Sequence, residues 1–136
     1  MKTADLAIIG GIAYLAYKIF KPKSQDQIRF DKNLVDVINK PTPRPEPATI
    51  TGAEAKAIAE RQFLAMNRPG TDEDELFRSL NELNGKDLQL VYAQFGLRNY
   101  FTLRRPLDLF GWYVEELDQD EYKRMQLYWY KSGLRF

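Results

Sequence analysis

Apolar positions along this chain fall into three regimes. Leu6 to Tyr17 (LAIIGGIAYLAY) is an unbroken uncharged run, and apolar character continues to Phe20 if Lys18 turns its ammonium outward. Lys21 to Ala48 is mostly polar and ends in alternating prolines, Pro41, Pro43, Pro45 and Pro47. From Thr51 onward apolar residues recur every three or four positions, the period of a helix with one buried face. No stretch alternates with period two over strand length, so the pattern predicts an all-α chain without a sheet.

Caps divide the third regime into five helices. Thr51 with Glu54 makes a capping box, and Ala55, Ile58, Ala59, Gln62, Phe63 and Met66 follow at helical spacing before Pro69-Gly70 breaks the helix. Thr71, with Asp74 three residues on, is placed to cap the second helix, whose inner face is Leu76, Phe77, Leu80 and Leu83. Asn84-Gly85 ends it and opens a third, faced by Leu88, Val91, Tyr92 and Phe95 and stopped at Gly96. After the loop Gly96 to Arg105, Asp108 caps a fourth helix faced by Phe110, Tyr113, Val114 and Leu117. Asp118 with Glu121 boxes the start of a fifth, lined by Tyr122, Met125, Gln126 and Trp129, and Ser132-Gly133 closes it so that Leu134 folds back. Trp112 and the Trp129-Tyr130 pair are read as core.

The first regime reads as a membrane anchor over residues 1–20. Fifteen helical residues rise about 22 Å, short of a hydrocarbon core of about 30 Å. Asp5 would therefore lie near one headgroup layer, with Lys18 and Lys21 reaching the other. Leu6, Ile8, Ile9, Ile12 and Leu15 supply the apolar surface and Lys18 the snorkelling charge. A cleaved signal peptide has a run of this length, but Lys18, Lys21 and Lys23 stand where a small-residue cleavage site would follow. A buried soluble helix is the third reading. The excess of lysines after the run places the following domain on the cytoplasmic-equivalent side of a single-pass protein.

Residues 21–50 form a basic proline-rich linker. Alternating prolines favour polyproline II, a semi-rigid spacer, and Phe30, Leu34, Val35 and Ile38 predict a short amphipathic helix over Asp31 to Asn39. That helix would lie on the bilayer or dock on the domain; an unstructured linker is the other reading. Charge supports the division. Lys18 to Ile50 carries seven basic against four acidic residues, whereas residues 51–136 carry twelve against fourteen. The formal net charge of +1 gives no whole-chain argument for nucleic acid. With no cysteine and no histidine, disulfides, thiolate nucleophiles, histidine bases and the usual zinc ligand sets are excluded.

The segment Met66-Asn67-Arg68-Pro69-Gly70-Thr71-Asp72-Glu73-Asp74 resembles the first loop of an annexin repeat, a glycine-rich turn running into Gly-Thr-Asp-Glu. The order of five helices, Phe95-Gly96 at the end of the third and Glu115-Glu116-Leu117 extend the similarity over roughly residues 51–133, one repeat. Annexins bundle four repeats and bind calcium and acidic phospholipid. The resemblance implies a compact five-helix domain over 51–136. It also implies calcium ligation by the turn carbonyls of Met66, Arg68 and Gly70, closed by the carboxylate of Glu116. Arg68 stands where the family has its first loop glycine, and Pro69 stiffens the turn. Lone modules of this kind are associated with bacteria, their phages and mobile elements.

Other chemistry is sparse. Glu115, Glu116, Asp118, Asp120 and Glu121 cluster in sequence, but successive residues on a helix point about 100° apart and several serve as caps. No catalytic residue is assigned, and the reading is of a protein that is not an enzyme and needs no resident cofactor other than the calcium the resemblance implies. Arg98, Tyr100, Phe101, Arg104 and Arg105 combine arginine with aromatic rings, the composition of an interface hot spot. An ordinary solvated loop is the other reading; as a contact surface, a protein partner suits them first, a lipid headgroup second and nucleic acid last. These features predict a membrane-anchored structural adaptor joining a bilayer to a neighbouring protein, such as the capsid of a membrane-containing phage virion. The alternative is a calcium-dependent module for acidic phospholipid.

Overall fold

The computed structural model describes residues 24–39, 46–100 and 105–136, with side chains from 37 to 39 left aside. The anchor residues Leu6, Ile8, Ile9, Ile12, Leu15 and Lys18 lie outside the described residues, as do Phe101 and Arg104. Among the described residues no helix is long and apolar enough to cross a membrane.

The described chain is mostly helical: α1 (Gln25–Asn39), α2 (Gly52–Met66), α3 (Glu73–Ser79), α4 (Gly85–Phe95), α5 (Leu109–Glu116) and α6 (Gln119–Trp129), then a 3-10 turn over Tyr130–Ser132. Caps set most of these starts. The Thr51 hydroxyl accepts from Glu54 N at 3.1 Å while Glu54 accepts from Thr51 N at 3.0 Å. Asn84 with Asp87 and Asp118 with Glu121 repeat the reciprocal arrangement. Gly96, at φ 65, ends α4 in a conformation that favours glycine. The cap of α3 falls one residue later than the sequence predicts: Asp72 accepts from Glu75 N. The Thr71 hydroxyl is engaged elsewhere, on Glu116.

The expected inner faces close on one core. Ala55 and Ala59 of α2, with no exposed surface, allow close packing against α4, which buries Leu88, Val91, Tyr92 and Phe95. Phe110, Trp112 and Tyr113 of α5 and Met125 and Trp129 of α6 complete the core, and Leu134 folds back onto it. Gln62 is buried with them because its polar atoms are matched: Nε2 donates to Leu76 O and Ser79 Oγ, and Oε1 accepts from the Tyr113 hydroxyl. Three expected core positions are outside it. Val114 is half exposed, Gln126 is exposed, and Tyr130 is 77% exposed.

Two further expectations are corrected. A two-stranded antiparallel hairpin is present, β1 (Arg98–Tyr100) with β2 (Arg105–Leu107), in register Arg98 with Leu107 and Tyr100 with Arg105. Its strands of three residues are too short to show alternation, and Pro106 in β2 argues against a strand on sequence grounds although an edge tolerates it. The linker helix begins at Gln25 rather than Asp31 and packs on the domain. Its inward side matches the apolar stripe only in part: Phe30 packs on Tyr92, but Asn33 and Asp36 are buried whereas Val35 is 55% exposed.

Candidate functional site

Two places gather polar side chains from distant parts of the sequence. The first lies beneath α1. Asp108 caps α5 by accepting from Gly111 N at 2.8 Å, and its carboxylate has no exposed surface. The Arg29 guanidinium meets it with two bonds, Nε to Oδ2 at 2.8 Å and Nη2 to Oδ1 at 2.5 Å. Tyr92 donates its hydroxyl to Oδ2 at 2.6 Å. Burial opposes the charge on Asp108, but Arg29 and Tyr92 outweigh it and hold the carboxyl below its usual range. The same contact pushes the Tyr92 hydroxyl up, through burial first and then the Asp108 charge.

Asp26 lies beside this pair, with Oδ1 2.8 Å from Arg29 Nη2. It rests on Gly111 so closely that a Cβ there would come within 2.0 Å of Oδ1, so a larger residue would force the Asp26 carboxylate to move. Burial, and then Asp108 next to it, push the Asp26 carboxyl up to about 6 despite Arg29. Farther along α1, Asn33 donates to Tyr92 Oη and Arg135 O and accepts from Arg135 N, which clamps the last residues of the described chain. Asp36 pairs with Arg135 at 3.1 Å, and Phe136 stacks on Phe110 with centroids 3.9 Å apart.

The second place is a cleft of about 330 Å³ between the turn after α2 and the end of α5. Met66, Arg68, Tyr100, Trp112 and Glu116 line it, together with Asn67 and Pro69. Glu116 is held from two sides: Thr71 donates its hydroxyl to Oε2 at 2.8 Å and Tyr100 donates to Oε1 at 2.9 Å. Burial and then the Glu116 charge push the Tyr100 hydroxyl up to about 12. The Tyr100 and Trp112 rings meet edge to face, 4.8 Å apart, and the Trp112 indole donates to Arg98 O.

Met66, Arg68 and Glu116, three of the four residues expected at a calcium site, therefore share one cleft. Gly70, at φ 71, ends the same turn but does not line it. Among the described residues no group of three carboxylates or other strong metal ligands converges. The basic-aromatic segment is divided. Tyr100 belongs to the cleft, whereas Arg98 is tied inward, bonding Glu60 at 2.7 Å and Phe95 O at 2.9 Å between the Phe63 and Phe95 rings. Arg105 stays exposed opposite Tyr100. A larger cleft, about 560 Å³, lies by Glu46, Glu82, Tyr130 and Lys131. Its remaining polar side chain, Asn84, is already engaged in capping α4 and in bonding Pro47 O.

Asp26, Arg29 and Asn33 are passed over by sequence reasoning, and Trp112 is given no role at a site. Arg29 carries no local signal because its partner is 79 residues away. Trp112 is read as core, and at 2% exposure it is core as well as cleft wall. Comparison with known protein families, with curated proteins and with solved structures finds no match to this chain.

Proposed function

We propose that this chain is a non-enzymatic, membrane-anchored adaptor that holds its helical module close against a bilayer and presents it to a neighbouring structural protein. The observation that carries the reading is the docking of α1. Because α1 is fastened to Asp108 from Gln25 onward, residues 21–24 alone separate the apolar run ending at Phe20 from the folded module. The five Cα steps from Phe20 to Gln25 span at most about 18 Å, so the start of α1 stays within that distance of the membrane face. The proline-rich segment is then an internal connection between α1 and α2 and does not set the reach.

The host setting proposed is a virus or phage particle that encloses a membrane, with the capsid as the neighbour. Annexin-like character is supported by the five helices in order and by the meeting of the 66–69 turn with Glu116. Alkaline extraction of membranes bearing the full chain, followed by cross-linking in place, tests the adaptor reading. Retention in the membrane pellet and a cross-link to a structural protein are expected; release into the supernatant sinks the anchor.

A second reading, calcium-dependent binding of acidic phospholipid, is favoured by that same meeting of turn and carboxylate. Titration of the protein with calcium and co-sedimentation with acidic vesicles separates it from the first, and no response at millimolar calcium dismisses it.

A further inference from the structure

The cleft beside Glu116 holds two charges of opposite sign that do not neutralise each other. Glu116 makes no ion pair among the described residues, and neither does Arg68, which lines the same cleft from the exposed turn. An ionised carboxylate has about four acceptor positions; Thr71 and Tyr100 use two, one on each oxygen. Positions for N–H donors remain. Tyr100, Trp112 and Met66 are among the lining residues; Trp112 and Met66 are almost wholly buried, so the half-buried Tyr100 is the ring with accessible surface. Aromatic faces attract an ammonium group, and the volume of about 330 Å³ is within the range of small-molecule pockets.

We propose that this cleft binds an ammonium–phosphate zwitterion, the chemistry of a phosphoethanolamine headgroup. The ammonium donates to the free positions of Glu116 beside the Tyr100 ring, and the phosphate meets the Arg68 guanidinium at the mouth. A primary ammonium suits the site better than a quaternary one, since only the former has N–H groups for Glu116. A bare divalent cation suits it less. Calcium takes six to eight oxygens, whereas the cleft offers one carboxylate besides the turn carbonyls and is lined by Arg68. The proposal does not depend on whether residues 1–20 enter lipid, so it and the adaptor reading fail separately.

The test uses the full chain in maltoside micelles, titrated with phosphoethanolamine while the Trp112 indole resonance is followed. A saturable shift is expected, at least tenfold weaker with ethanolamine alone or inorganic phosphate. Glu116→Gln, which keeps the hydrogen-bond acceptor for Tyr100 or Thr71, is expected to weaken binding at least tenfold. Arg68→Met, on the exposed turn, is expected to weaken phosphoethanolamine but leave ethanolamine unchanged. Circular dichroism confirms that each variant is folded. Reconstitution into bilayers with or without phosphatidylethanolamine assigns the source: the same shift in the first bilayer alone identifies the lipid, and a shift with the soluble compound alone identifies a free headgroup. No saturable shift, an unchanged affinity in folded Glu116→Gln, or a shift reproduced by calcium alone overturns the proposal.

Discussion

α1 and α2 both pack on α4, and they reach it by different means. α2 meets α4 through Ala55, Ala59 and the Phe63 ring, which lies edge-on to Phe95. α1 meets it through Asn33 on the Tyr92 hydroxyl and through one ring pair, Phe30 with Tyr92, while Arg29 reaches past to Asp108. The first interface is apolar and tolerates any partner of matching shape. The second depends on particular charges being paired. A buried ion pair is weak evidence for net stability, yet removing one member is costly because the other is left buried and alone. The docking of α1 is therefore specific, and it can be broken by changing one atom group.

Arg29→Met should give the largest effect. It leaves the Asp108 carboxylate without its cation and should cost about 3–5 kcal/mol of α1 docking. Hydrogen exchange should show α1 amides losing protection while those of α2, α4 and α6 keep theirs. Adding Asp108→Asn should recover part of the loss; equal deprotection of all helices would mean that α1 is not a separable layer. The matching change on the apolar side, Ala59→Leu, adds bulk where Ala59 has no exposed surface. It should cost about 1–3 kcal/mol, seen in urea unfolding of the whole module rather than of α1 alone.

How much of each interface is legible in the sequence follows the same division. The face of α2 is visible because Ala55, Ala59, Gln62 and Met66 repeat at helical spacing and the Thr51–Glu54 box marks the start. The face of α1 is misread in part: Phe30 does turn inward onto Tyr92, but Val35 is exposed while Asn33 and Asp36 are buried. Polar residues go inside only where distant partners wait, here Tyr92 and Arg135, and local spacing carries no record of them. The cleft is half legible for the same reason. The turn at Met66 to Gly70 has a motif, but the arrival of Tyr100 and Thr71 on opposite oxygens of Glu116 depends on tertiary packing and on the unforeseen hairpin.

A smaller effect separates the two interfaces by pH. Asp26 in the docked helix has its carboxyl raised from 3.8 to about 6. The docked state thus holds a proton that the undocked chain releases. The Asp26 contribution weakens as pH rises from about 4 through about 6 and is level above that. The lowered Asp108 carboxyl, by contrast, takes docking stability away as pH falls below about 4. Two pKa units correspond to at most about 3 kcal/mol. The Asp26 side chain is 14% exposed, so solvent screening removes little of this. Asp26→Asn should stabilise docking at pH 7 by about 1–3 kcal/mol and flatten the pH 4–6 dependence of α1 exchange. The α2–α4 contact has no raised carboxyl; Glu60 of α2 and Asp87 of α4 are lowered, so any change there has the opposite sign, a loss as pH falls toward about 4. Retention of the slope in the variant would assign it to another carboxylate.

The smallest effect comes from comparing two caps. Thr51 and Asp108 each accept a bond from the amide three residues on, Glu54 N and Gly111 N. Thr51 is exposed, and its hydroxyl does nothing else among the described residues. Thr51→Ala should therefore cost about 1 kcal/mol, confined to exchange in the first turn of α2, with α1 docking untouched. Asp108 is a cap that also carries Arg29 and Tyr92, so its loss combines a frayed helix start with an Arg29 left only Asp26 and a Tyr92 hydroxyl left without an acceptor. If Thr51→Ala loosens α1 as well, the layers are coupled through α4, and the division between an apolar body and a charged, detachable helix gives way to a single cooperative unit.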